Sequence, residues 1–157
     1  MKKEANNELL LSGSGMAGLI AAALEKGKHF KFMVTGFSMS PFIKNGDVAV
    51  ISPFKHRHMG VGDVVACLDK NSQKLMVHRV IGKKNTMVYL KGDNTLTEDL
   101  PVHKDQVLGY VSKLERNGKN ITFSLGPGKR MIALLSRMGL LKWTIDRIRA
   151  SADWKMG

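Results

Sequence analysis

A single cysteine, Cys67, leaves no internal disulfide and no metal site built from cysteines alone. Aromatic residues make up only 6% of the chain, too few for the stacking platforms of single-strand binders, and no zinc-finger spacing or helix-turn-helix pattern stands in for them. Nucleic acid is therefore not the expected partner. No apolar run approaches the roughly 20 residues that span a bilayer. The best stretch, Met16 to Leu24, is too short, and Glu4 with Asn6 to Glu8 breaks the basic start that a secretory leader would need. An ordinary amphipathic helix over Glu8 to Glu25 is expected instead, with no transmembrane anchor and either a peripheral membrane or a cytoplasmic location. Acidic residues are also scarce: 13 Asp and Glu face 25 Lys and Arg, for a net charge of +12. Such a surface calls for an anionic partner, and the placement of the apolar residues favours an anionic membrane surface.

What is present is globular. A chain of 157 residues with 43% hydrophobic content can bury one core. From Lys31 to Val111 short runs rich in Val, Ile and Met alternate with Gly, Asp, Asn, Ser and Pro punctuation: "FKFMVTG", "DVAVIS", "DVVACLD", "LMVHRVIG", "TMVYLKG" and "QVLGYVSKL". Asn117-Gly118 then marks a tight hairpin into a seventh strand. The pattern predicts a mainly β, curled, barrel-like sheet. After the break at Gly126 to Lys129, the residues Met131, Leu134, Leu135, Met138, Leu141, Ile145 and Ile148 recur at helical spacing to about Arg149. This predicts one basic amphipathic helix, with Trp143 as an interfacial anchor, packed on the core or docked on a membrane or partner. The expected organisation is an N-terminal helical segment (1–30), a β domain (31–125) and a C-terminal helix (126–157).

The stretch "TGFSMSPFIKNGDVAV" places Ser38 in a segment too apolar for a solvent loop and too broken for a helix. A serine hydroxyl becomes a nucleophile only beside a base. His56 and His58 lie in a basic loop, and His29 and His103 in polar surroundings, with no carboxylate or cysteine cluster to complete a metal site. His78 alone sits in mid-strand, among Met76, Val77, Val80 and Ile81. Asp93 and Asp99 are each a candidate carboxylate for orienting an imidazole, or else Gly92-Asp93-Asn94 is a turn and Glu98-Asp99 a solvated loop. Spacing does not separate these readings.

The succession of "GFSMSP" and Gly46-Asp47, then "GDVV" at Gly62 to Val65, "HRVIG" at His78 to Gly82, "KGDNTLTED" at Lys91 to Asp99 and "VLGYV" at Val107 to Val111 resembles the type I signal peptidase superfamily of S24/S26-like serine peptidases. It is most similar to the archaeal and endoplasmic-reticulum branch, which has histidine where other branches have a lysine base. The resemblance implies Ser38 as nucleophile, His78 as general base and Asp99 as its orienting carboxylate, with Asp93, Gly36 and Met39 in support. On physical grounds Gly36 lets the backbone turn closely, and Phe37 and Met39 are expected to bury the serine turn. It also implies signal-peptide-type processing without a cofactor or metal. The substrate would be an extended peptide or precursor protein, taken by strand addition and cut after small residues. An imidazole base implies activity that rises as a group of ordinary pKa about 6.5 deprotonates; a profile rising only at higher pH would point to Lys91 or Lys74. Two departures stand out. Gly36 replaces the serine whose hydroxyl completes the family's oxyanion hole, leaving Thr35 as a possible second donor, and the membrane anchor is missing. Two alternatives stay open: a non-catalytic peptide-binding or regulatory module on the same fold, and LexA-like self-cleavage at Ala17-Gly18.

Overall fold

The computed structural model describes residues 13–55, 57–68, 75–122 and 125–153. His56, Lys74 and the start of the expected N-terminal helix lie outside the described residues. The first helix, α1, spans Gly13–Glu25. The strands that follow are β1 (Phe30–Met33), β2 (Val48–Ser52), β3 (Val64–Leu68), β4 (Leu75–Lys84), β5 (Met87–Lys91), β6 (Val102–His103), β7 (Val107–Arg116) and β8 (Lys119–Asn120). Two helices, α2 (Lys129–Arg137) and α3 (Leu140–Asp153), end the described chain. The fold is mainly β, a curled half-barrel of antiparallel strands with three helices.

The sheet runs β1-β2-β7-β3-β4-β5-β6, with β8 paired to β7. Thus β7, late in the sequence, is inserted between β2 and β3. Register shifts at Val50/Ile51, Ala66/Cys67 and Val80/Gly82 interrupt three of the ladders, and irregularities of this kind bend strands and increase their twist. One core cluster joins Val34, Met39, Ile43, Ala49, Val64, Val111 and Leu114. The α1 residues Ile20 and Leu24 pack on Ile51 and Ala66 of the sheet, so the helix is part of the core. Asn117 and Gly118, with φ of 50° and 73°, make the hairpin turn that Asn-Gly supplies at low steric cost.

One strand was missed and two expectations need correction. Strand β6 has only two residues, too few for alternation to reveal, and β8 is equally short. The C-terminal helix is two helices, because Gly139 takes φ 72° and the N–H groups of Met138 and Gly139 turn back to Leu134 O and Ser136 O. That break splits the apolar stripe. Ile132, Leu141 and Ile145 are buried around Phe42, whereas Met131, Leu134, Met138, Trp143 and Ile148 remain exposed.

Two buried carboxylates fasten loops to this frame. Asp47 accepts from Arg116 Nε at 2.7 Å and from Lys44 N–H at 2.7 Å. Asp63 accepts from Lys129 Nζ at 2.5 Å and also pairs with Arg57, whose guanidinium lies over the Tyr110 ring. Burial raises the pKa of both acids, but these cations and N–H donors outweigh it and leave each below its ordinary value of 3.8. Their stabilisation is therefore fully present above the unfolded-state value, about 3.9, and is lost as pH falls through the folded-state values. Thermal melts below about pH 4 should show a steep loss of Tm, and Asp47→Asn should flatten that acid limb; an unchanged limb would refute the assignment.

Candidate active site

His78 lies on β4, paired in register with Val65 of β3. Successive residues of a strand face opposite sides, so His78 and Arg79 diverge. Arg79, with no exposed surface, holds Asp93 by two parallel bonds, Nε to Oδ1 at 2.8 Å and a terminal nitrogen to Oδ2 at 2.7 Å, and donates to Gly62 O at 2.9 Å. A bidentate guanidinium–carboxylate pair fixes direction as well as distance. It binds the segment after β5 to the middle of β4.

His78, 9% exposed, faces the serine. Its Nε2 is 3.0 Å from Ser38 Oγ and its Nδ1 is 2.5 Å from Asp99 Oδ2. Asp99 is itself held by its own N–H, which donates to Leu90 O at 3.0 Å. The order hydroxyl, imidazole, carboxylate suits proton removal from Ser38. A carboxylate at Nδ1 holds the imidazole with a free Nε2 and stabilises the positive charge that follows proton transfer.

The serine turn is fixed from three directions. Met39, 3% exposed, drops into the core. Gly36 takes φ 97°, in the left-handed region that favours glycine, and its N–H donates to Asn45 Oδ1 at 3.0 Å. Asn94 grips two consecutive carbonyls: its N–H donates to Ser38 O at 2.7 Å and its Nδ2 to Phe37 O at 3.1 Å. In a trans peptide the carbonyl and the next N–H point in opposite directions. Holding Phe37 O toward Asn94 therefore aims Ser38 N–H the other way. Phe37 departs from the expectation that it buries the turn, being 68% exposed; the turn has one inward side and Met39 occupies it. Thr35 is exposed at the surface.

The remaining candidates fall elsewhere. His29 Nδ1 contacts Ser52 Oγ at 2.7 Å, His58 is exposed, and His103 caps a short 3₁₀ turn at Lys104–Gln106. Among the described residues no group of His, Cys, Asp and Glu is arranged to hold a metal ion. Lys91 Nζ is buried and donates to Ser136 O at 2.6 Å, away from the serine. Sequence reasoning overlooked Arg79 and Asn94. A charged residue in the middle of an apolar strand was the available signal for Arg79, but Asn94 read only as part of a turn.

Removing one partner of a buried ion pair strands the other charge, a penalty of about 3–5 kcal/mol. Asp93→Ala should accordingly lower stability by roughly that amount in denaturant titration, while Arg79→Met with Asp93→Leu should recover much of it; a single variant as stable as the parent would contradict this role.

A comparison with curated proteins yields no match. The Peptidase S24-like family matches residues 8–113. That span runs from before α1 into β7 and takes in Ser38, His78 and Asp99, and by it the chain belongs to the Peptidase S24-like family.

Proposed function

We propose that this protein is a serine endopeptidase in which Ser38 is the nucleophile, His78 the general base and Asp99 the residue that orients and charges His78. The observation that carries the reading is the alignment of Ser38 Oγ, His78 and Asp99 at 3.0 and 2.5 Å. Ser38 Oγ attacks the scissile carbonyl as His78 Nε2 takes its proton. The Ser38 N–H, aimed by the Asn94 grip on the preceding carbonyl, faces the oxyanion. His78 then returns the proton to the leaving amine, and water, deprotonated by the same nitrogen, hydrolyses the acyl-enzyme. The histidine base favours the archaeal and endoplasmic-reticulum type of signal peptidase, and with it an extended peptide or precursor as substrate. In this reading residues 31–125 form the peptidase unit, flanked by segments 1–30 and 126–157.

Self-cleavage at Ala17-Gly18 is disfavoured. That pair lies within α1, with Ala17 3% exposed in the core contact, and a helical bond cannot join a strand-binding groove without unwinding. The peptide-binding module is the reading to which failure of the following experiment would turn.

The purified protein should be labelled at Ser38 by a small fluorophosphonate, read by intact mass. Ser38→Ala should abolish labelling, His78→Ala should slow it by roughly 10³-fold or more, and Asp99→Asn by on the order of 10²-fold or more. Labelling that is indifferent to His78 would overturn the proposal.

Gly92 supplies a second test, because a Cβ there would sit 2.7 Å from Ser38 O and 3.2 Å from Ser38 Cβ. Gly92→Ala must displace the serine turn, and a shift of about 1 Å costs on the order of 10²-fold in rate. Labelling should fall by about that factor, with Tm lowered as the backbone gives way, whereas a variant labelled at the parental rate would show that the turn's position is unimportant.

A further inference from the structure

A cleft of about 750 Å³ opens between the end of β4, β5 and α2, and neither Ser38, His78 nor Asp99 lines it. Four cations do: Lys83 and Lys84 from β4, Arg130 and Arg137 from α2. Glu98 is the single acid in the lining and Tyr89 adds a hydroxyl, so the wall carries a formal excess of three positive charges, four less one. Lys83 is tethered to Met59 O, an uncharged acceptor. Among the described residues Lys84, Arg130 and Arg137 enter no ion pair with an acid. This differs from Arg57, Lys129 and Arg116, whose charges are met by Asp63 and Asp47.

Gathering like charges on a concave surface is unfavourable for the empty protein, and low-dielectric walls concentrate the resulting field inside the cleft. An anion relieves that repulsion. Arg130 and Arg137 are seven residues apart on α2, two turns of one helical face, with Leu134 between them and also in the lining. Guanidinium groups present planar donor forks that match phosphate oxygens, whereas ammonium groups act as point charges. Two forks, two ammonium groups and a phenol suit a compact, highly charged tetrahedral group better than a single carboxylate.

Apolar surface adjoins the charged wall. Ile81 and Val61 line the cleft, Leu134 is 56% exposed at it, and Met131 on the same helix and Met138, which caps its end, stand exposed. On α3, Trp143 is exposed beneath the Arg147 guanidinium, 4.5 Å from the ring centre. The cleft thus joins a cationic wall to an apolar margin.

We propose that the cleft lined by Lys83, Lys84, Arg130 and Arg137 binds a phosphate-bearing ligand, either as a phospholipid headgroup or as a soluble phosphate ester. The proposal is independent of chemistry at Ser38.

It is tested on the full chain carrying Ser38→Ala, so that peptidase activity has no bearing on the result. Binding is measured to phosphatidylcholine vesicles with and without phosphatidylglycerol, and to glycerol phosphate by calorimetry. The expected result is binding to at least one phosphate probe, weakened tenfold or more by Arg130→Ala with Arg137→Ala. The same loss of charge outside the cleft, Lys104→Ala with Lys119→Ala, should change it less than twofold. Preference for phosphatidylglycerol vesicles assigns the ligand to lipid, and binding of glycerol phosphate without vesicle preference assigns it to a soluble ester; either outcome upholds the site. Binding to neither probe, equal weakening by both double variants, or tighter binding of a glutamate-rich peptide than of either phosphate probe would overturn it.

Discussion

The arrangement around Ser38 depends first on the buried pair of Arg79 and Asp93. Neither side chain has exposed surface, so the pair exchanges hydration for two parallel hydrogen bonds and cannot slide without losing both. Its neighbours are the residues that matter. His78 precedes Arg79 on β4, while Gly92 and Asn94 flank Asp93. Fixing one ion pair thus registers an imidazole on one strand against the segment that supports the serine. Such a pair contributes little net stability compared with an apolar replacement, but it specifies geometry.

On that foundation the serine turn is held by contacts of different kinds. Met39 supplies burial, Asn45 and Asn94 supply directed hydrogen bonds, and Gly92 supplies room, because its missing side chain lets the chain approach Ser38 closely. Only the last is an absence, and it is the most restrictive. Any Cβ at residue 92 collides with backbone, which cannot yield as the end of a flexible side chain can.

The sequence made much of this readable. Alternation of Val, Ile and Met with turn residues disclosed the six longer strands, because burial on one side of a sheet imposes a period of two. Ser38 and His78 stood out as polar groups in apolar surroundings. What stayed hidden has physical causes. On spacing alone Asp93 and Asp99 have equal claims on the histidine, since a few residues of loop can turn either carboxylate toward it; the resemblance pointed to Asp99, and the three-dimensional path gives Asp93 to Arg79 and Asp99 to His78. The two-residue β6 carries too little pattern to be detected. The C-terminal stripe was legible as apolar but not as two faces, because the left-handed residue at Gly139 rotates α3 out of the phase of α2.

The sheet order has a consequence for biosynthesis. Ser38 lies between β1 and β2, and His78 on β4, yet in the sheet those parts are joined through β7, residues 107–116. A nascent chain that has not yet released β7 from the ribosome carries the serine and the histidine on two separate hairpins. Ser38 and His78, 40 positions apart, are joined into one sheet only when this late strand pairs between β2 and β3. The order of strands thus makes the single sheet that carries both residues a late product of synthesis, since the strand that joins its two parts follows both of them in the chain.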